Sequence, residues 1–158
     1  MLDDDGFLLY ESRAIIRHLD RRGAAPSLMP SALPELALMD QWLSVDQSYI
    51  APHTRALAIE RVVKGHAGQA PDPKMIADSE AALALAFGVI DRALAHRRFL
   101  TGESFSLADV SLMPYVASLT LLGAEHLAST RRHLSSWWER VRARPSWQAV
   151  ERGELTAA

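Results

Sequence analysis

The chain has 158 residues, of which 49% are hydrophobic and 23% are charged, a composition typical of a globular protein with a substantial core. It has 17 lysines and arginines against 19 acidic residues, and its formal charge of -2 excludes the basic field of a nucleic-acid or anionic-membrane binder. The absence of cysteine excludes disulfides, thiolate metal sites and a thiol nucleophile supplied by the protein.

The N-terminal residues are acidic, unlike the basic start of a signal peptide. The longest nearly unbroken apolar run, at 81–90, is about half as long as a membrane span. We therefore expect a cytoplasmic protein with neither membrane nor nucleic-acid partners.

The first ten residues predict a β-hairpin. Asp5-Gly6 is typical of a tight turn, and the apolar residues 7–10 that follow it favour a strand. Because a two-stranded ribbon is only marginally stable alone, we expect these strands to belong to a larger sheet, of which the later sequence gives no sign.

Residues 12–22 predict an amphipathic helix, and a linker separates it from the rest of the chain. Its apolar face contains Ile15, Ile16 and Leu19. Proline and serine at 24–33 form the clearest break in composition. We therefore expect one unit at 1–23 and a second, helical unit at 34–158.

An acid and a hydroxyl, Glu11 and Ser12, stand where this first helix begins. A helix N-terminus has unpaired N–H groups and a partial positive charge, which favour a carboxylate. Ser12 could donate a hydrogen bond to that carboxylate while Glu11 holds an ammonium group, so the pair suits an α-amino acid end. The alternative is that Ser12 merely caps the helix and Glu11 interacts favourably with its dipole.

Beyond the linker, every predicted element is helical. Pro34 suits the first turn of a long helix, in which Pro52 should produce a kink. Asp72 is placed to cap the next helix. The apolar stripe of that helix consists of Ile76, Leu83, Phe87, Ile90 and Leu94.

The segment FSLADV at 105–110 predicts a strong helix start. Ser106 and Asp109 have the spacing of a capping box, with Asp replacing the commoner Glu. A serine hydrolase site is the alternative, but neither a nucleophile-elbow motif nor a nearby histidine accompanies the pair. The predicted buried face of this helix consists of Val110, Met113, Ala117 and Leu121.

The six histidines do not have the spacing of zinc ligands, so we expect no metal site. Segments rich in arginine lie near predicted helix ends, where they complement the helix dipole. The tryptophans at 137, 138 and 147 are interpreted as packing residues.

Four segments, in order, resemble the glutathione S-transferase family. LDDDGFLLYESRAIIRHL at 2–19 resembles the end of its glutathione-binding domain, and FLTGESFSLADVSLMPYV at 99–116 resembles its capping-box helix. SSWWERVRARPSW at 135–147 resembles its C-terminal helices, and WLSVDQSYIAP at 42–52 is similar to the long helix of the phi-like subgroup.

The resemblance implies a mainly α fold. An all-helical glutathione S-transferase C-terminal bundle would follow a β-hairpin and helix remnant of a thioredoxin-like, glutathione-binding domain. The implied activity is detoxification by conjugating glutathione, as co-substrate, to hydrophobic electrophiles, with no metal. The family also implies a homodimer.

The same resemblance implies roles for individual residues. Glu11 and Ser12 would hold the γ-glutamyl end of glutathione. Tyr49 and Ile50 would line the pocket for the hydrophobic acceptor, and Arg13 would lie near the subunit interface.

By this resemblance, the family's thiol-activating residue would precede Met1, so no residue here is assigned as catalytic. We expect a transferase that needs the missing N-terminal part of its thioredoxin-like domain. The alternatives are a non-catalytic helical binding or interaction module, or a truncated fragment without transferase activity, and a split enzyme completed by a second polypeptide.

Overall fold

The structure, a computed structural model, describes residues 1–23 and 26–154, so part of the predicted linker and the last four residues lie outside the described ranges. Strands β1 (Leu2–Asp4) and β2 (Phe7–Leu9) pair in antiparallel fashion. Asp5 and Gly6 both have positive φ, at 54° and 89°, as a type I′ turn requires. The predicted hairpin is confirmed.

Helix α1 (Ser12–Arg22) follows the hairpin and contacts it through polar side chains. His18 Nε2 lies 2.6 Å from Asp4 Oδ2, and Arg22 also pairs with Asp4. On the apolar face of α1, Ile16 is half-buried and packs against the core, whereas Leu19 is 46% exposed.

The next part of the chain forms a long helical rod. It consists of α2 (Leu33–Val45), α3 (Ala51–Ala58) and α4 (Lys64–His66), joined by π-helical segments at Asp46–Ile50 and Ile59–Val63. The first π-helical segment ends just before Pro52, which has no N–H to donate to the helical ladder. Regular α geometry is therefore interrupted where the sequence predicts a kink.

The remaining helices pack against this rod. They are α5 (Pro73–Leu94), α6 (Leu107–Leu121), α7 (His126–Ser129), α8 (Arg132–Arg142) and α9 (Pro145–Glu151). α5 contacts α3 and α8, and α6 contacts α2 and α8. Within the two described ranges, no helix combines the length and the apolar character that crossing a membrane would require.

The core confirms most of the predicted stripe of α5. Leu83, Phe87, Ile90 and Leu94 are buried, and Ile76 is partly buried against them. Asp72 caps this helix as predicted, accepting the backbone N–H groups of Lys74 at 2.8 Å and Met75 at 3.3 Å.

The predicted face of α6 is wrong. Of the four predicted residues only Met113 is buried, and Leu121 is 75% exposed. The buried apolar residues of α6 are Leu107, Ala108, Leu112, Met113, Val116 and Leu119. Apolar residues surround this helix on nearly all sides, so the packing partners rather than the periodicity select the buried face.

Candidate functional site

The N-terminus of α1 presents Glu11 and Ser12 to solvent. The backbone N–H groups of Ala14 and Ile15 both donate to the Glu11 carbonyl at 3.0 Å, which closes the first turn. Among the described residues, the N–H groups of Ser12 and Arg13 have no backbone partner. The helix therefore begins with two donors directed away from its own hydrogen-bond ladder.

Glu11 occupies a strained backbone conformation, with φ 69° and ψ 112°. A side chain at positive φ costs about 1–3 kcal/mol, and such residues concentrate at ligand sites. Within the described residues, neither Glu11 nor Ser12 makes a side-chain capping hydrogen bond to α1. The alternative that Ser12 merely caps its helix is therefore wrong.

This geometry can bind a zwitterion. A carboxylate placed at the helix start would meet free N–H groups, the positive end of the helix dipole and the Ser12 hydroxyl. The Glu11 carboxylate is exposed and can pair with an ammonium group a short distance away. The role of the two residues in holding a γ-glutamyl group stays a prediction.

Directly after this segment, Arg13 enters a partly buried polar cluster. Its Nε donates to Asp46 Oδ2 at 3.1 Å, its Nη2 donates to the Tyr115 hydroxyl at 3.1 Å, and Nη2 lies 2.7 Å from Asp46 Oδ1. The Ser111 hydroxyl also donates to Asp46. The side chains of Arg13 and Asp46 are only 16% and 4% exposed, so the pair is largely removed from water.

The cluster connects α1 to the first π-helical segment and to α6. Burial raises the pKa of the Asp46 carboxyl, while its hydrogen bonds to Ser111 and Arg13 act in the opposite direction. Because these contacts fix Arg13, they also restrict the backbone of the preceding residue, Ser12. The predicted position of Arg13 near a subunit interface stays a prediction, and within the chain its guanidinium is already paired.

A groove of about 540 Å³ lies between α3 and α6, close to this cluster. Its lining includes Ala51, Arg55, Ala58, Val63, Tyr115 and Leu122. Tyr115 belongs to the groove and also binds Arg13 through its hydroxyl, so the groove adjoins the segment that begins α1. An apolar compound in this groove would lie near a ligand bound at Ser12.

The two residues predicted to line the acceptor pocket have different surroundings. Tyr49 is 61% exposed and lines a second groove, of about 390 Å³, against Leu85 and Val89 of α5. Ile50 is fully buried in the core, at 0% exposure. Its assignment is wrong, because a side chain without exposed surface cannot contact a ligand.

The predicted capping box of α6 is confirmed, and Asp109 does more than cap. This carboxylate is 0% exposed and accepts hydrogen bonds from Ser106 N at 2.9 Å and Ser106 Oγ at 3.0 Å. It also accepts from Leu100 N at 3.1 Å and Trp137 Nε1 at 2.8 Å. Burial raises the pKa of Asp109, and these four hydrogen bonds oppose the shift. No histidine contacts Asp109 in the described ranges, which favours the structural interpretation.

Sequence reasoning missed Asp46, Ser111, Tyr115 and Trp137. Asp46 lies 33 residues from Arg13 and 65 from Ser111, so no local motif joins them. The one available signal is an acid inside a predicted helix, directly after the apolar Val45. In the described part of the chain, no three His, Asp or Glu side chains group closely enough to hold a metal ion.

Comparison with known proteins gives a consistent match. The family model described as "Glutathione S-transferase, C-terminal domain" matches residues 48–145. Glutathione S-transferase F10 of Arabidopsis thaliana is 32% identical over 153 residues, which cover 95% of this chain and 71% of that protein.

Solved structures agree. Glutathione transferase F7 from Populus trichocarpa superposes with a TM-score of 0.86 at 27% identity, covering 97% of this chain and 73% of that one. Glutathione S-transferase I bound with lactoylglutathione gives a TM-score of 0.85 at 25% identity, covering 93% of this chain and 70% of that one.

Proposed function

Because the chain belongs to the glutathione S-transferase family and is phi-like, we propose that the N-terminus of α1 binds the γ-glutamyl end of glutathione. The carboxylate of that group would accept hydrogen bonds from the Ser12 hydroxyl and the free N–H groups of α1. Glu11 would hold its ammonium group. The observation that carries this proposal is the strained, exposed Glu11 beside two backbone donors without partners among the described residues.

The proposed chemistry is conjugation. The glutathione sulfur forms a bond to an electrophilic carbon, and a leaving group departs with the bonding electrons, or a proton is taken up after addition to a double bond. The groove between α3 and α6 would hold the apolar acceptor. The protein's contribution would be to position the two reactants, which removes much of the entropic barrier.

Conjugation also requires the glutathione thiol to lose its proton and form a thiolate. A thiol has an ordinary pKa of about 8.5, which must be lowered for thiolate to predominate at neutral pH. No residue here is assigned to that task. We therefore propose transferase turnover only for the chain completed by the remainder of a thioredoxin-like domain.

The second candidate is a binding module without transferase activity. The same observation supports it, because the proposed binding segment at the start of α1 would hold glutathione whether or not turnover follows. A turnover assay with glutathione and a generic electrophile separates the two candidates. Turnover by the 158-residue chain alone supports the first, and binding without turnover supports the second.

On family grounds we also propose a cytoplasmic role in detoxification. The hairpin and α1, residues 1–23, would then act as the glutathione-binding unit. The unit at 34–158 would supply the acceptor groove, and 24–33 would link the two.

Ser12→Ala is expected to weaken glutathione binding at least about tenfold, because a hydrogen bond to a charged group contributes about 1.5–3 kcal/mol. Glutathione binding by the unaltered chain should be weak, since only one end of the tripeptide is held. Calorimetric titration, or chemical-shift titration of the α1 amides, measures both affinities. Ser136→Ala, at an exposed serine of α8, is the matched control. Equal affinity in all three proteins would refute the assignment.

We also propose that the groove at Tyr49 is covered by a second copy of this chain. Leu85 is 76% exposed and Val89 is 45% exposed, one helical turn apart on α5 and facing Tyr49 across the groove. Apolar side chains grouped in this way are typical of protein interfaces.

Leu85→Glu is expected to weaken self-association about a hundredfold or more, because burying an unpaired carboxylate costs several kcal/mol. Sedimentation velocity over a concentration series measures this as a shift from dimer to monomer. Leu33→Glu changes an equally exposed leucine, at 77%, outside the groove, and should leave the dimer intact. A monomeric unaltered chain at high concentration would argue against the proposal.

A further inference from the structure

The groove between α3 and α6 carries a charge that the proposed acceptor role does not use. Its walls are mainly apolar, with three hydroxyl-bearing residues, Thr54, Tyr115 and Ser118. Arg55 is the one charged residue among the described residues that line it. The groove therefore combines an apolar surface with a single positive charge at an exposed position.

No acid in the described part of the chain pairs with Arg55. The helical positions one turn away that could supply a partner are all apolar: Ala51, Pro52, Ala58 and Ile59. The nearest carboxylate along the helix, Glu60, is engaged elsewhere, by Lys64 Nζ at 2.6 Å and the backbone N–H of Asp72 at 2.7 Å. No hydrogen bond joins Arg55 to another described residue.

Neighbouring arginines differ in this respect. Arg61, less than two turns further along, binds Glu80 at 2.8 Å and the Leu122 carbonyl at 2.6 Å. Arg13 binds Asp46 and Tyr115. Arg61 and Arg13 have structural roles, whereas Arg55 is available to a ligand.

A guanidinium is planar and presents paired N–H donors that match an oxyanion such as a carboxylate or sulfonate. Beside an apolar wall, such a pair is less exposed to water than on an open surface and is therefore stronger. We propose that this groove selects apolar small molecules that carry one anionic group, with Arg55 as the specificity-determining residue. The proposal deepens the acceptor role proposed above and rests on it only for the location of the site.

The test uses two fluorescent probes with the same aromatic body, the anionic anilinonaphthalene sulfonate and the uncharged phenylnaphthylamine. Arg55→Ala should weaken binding of the anionic probe about tenfold, the effect of losing a charge-assisted hydrogen bond, and change the neutral probe by less than about twofold. Added salt should weaken binding of the anionic probe to the unaltered protein and have little effect on its binding to Arg55→Ala.

Two further variants locate the effect. Arg92→Ala removes an exposed arginine of α5 that lies outside this groove and should change neither affinity. Ser118→Leu places a larger side chain in the groove and should weaken the binding of both probes. Unchanged circular dichroism and melting temperature verify that each variant is folded.

Three results would overturn the proposal. They are equal effects of Arg55→Ala on both probes, no effect on either, or no binding of the anionic probe by the unaltered chain. A loss of glutathione affinity in Arg55→Ala without loss of the anionic probe would instead assign Arg55 to glutathione. Because no glutathione is present in the probe titrations, their outcome is independent of the Ser12 test.

Discussion

Asp109→Ala is expected to lower the free energy of unfolding by about 3–5 kcal/mol, because it leaves several buried donors unsatisfied at a cost of about 1–3 kcal/mol each. The carboxylate is completely buried and accepts four hydrogen bonds, from Leu100, Trp137 and twice from Ser106. Its removal leaves donors from three separate segments without an acceptor, in a place that water does not reach. Urea denaturation at neutral pH, monitored by the fluorescence of the tryptophans, measures the change.

Two controls separate this network from an ordinary helix cap. Asp72→Ala removes an exposed cap of α5 and should cost about 1 kcal/mol. Asp109→Asn keeps the size of the side chain but replaces one acceptor oxygen by a donor, so its loss should be intermediate between these two. A loss for Asp109→Ala no larger than that for Asp72→Ala would mean that the four hydrogen bonds do not act as a network.

Asp46→Ala is expected to cost about 3 kcal/mol, because it leaves the largely buried guanidinium of Arg13 without its countercharge. The effect should also be local. Arg13 joins α1 to the π-helical segment and α6, so the attachment of residues 1–23 should weaken before the helical bundle unfolds. Hydrogen exchange should therefore accelerate in α1 and remain slow in α5.

The matched control is the ion pair between Arg17 and Asp40, which also joins α1 to the rod. Its side chains are 34% and 53% exposed, so Asp40→Ala should cost no more than about 1 kcal/mol. Glutathione binding should fall in Asp46→Ala and persist in Asp40→Ala, since Ser12 is held in place by its neighbour Arg13. If α1 and α5 are equally protected from hydrogen exchange in both variants, Asp46 does not anchor α1.

The elements that the sequence predicts correctly are those with a local cause. The hairpin follows from Asp5-Gly6, the start of α5 from Asp72, and the start of α6 from Ser106 and Asp109. Each depends on residues within a few positions of one another, and such interactions form whatever the rest of the chain does.

The incorrect predictions concern which side of a helix is buried, and this depends on contacts between distant parts of the chain. The buried face of α6 was predicted wrongly because a helix that is apolar on most sides contains no periodic signal. Ile50 was assigned to a pocket, yet the structure places it in the core. Which side of a helix faces solvent is decided by elements distant in sequence, and a single sequence does not display them.

The candidate site shows the same division. Glu11 and Ser12 could be singled out because a helix start is visible in the sequence, whereas the strain at Glu11 could not. In the Arg13 cluster, the partners of the three contacts are separated by 33, 65 and 102 residues along the sequence. Only the folded chain brings them together.

The two π-helical segments constrain how this protein can change in length. A π turn accommodates about one residue more than an α turn, and each residue of an α-helix rotates the chain by about 100°. Deleting one residue from Asp46–Ile50 would therefore restore a regular α turn and leave Arg55 facing its groove, whereas deleting one from the regular α turn at 51–54 would rotate Arg55 out of it. The exposed loop at 67–72 makes no such demand. A codon lost in that loop or in a π turn is absorbed, whereas one lost in a regular α part of the rod changes the direction of the binding surface.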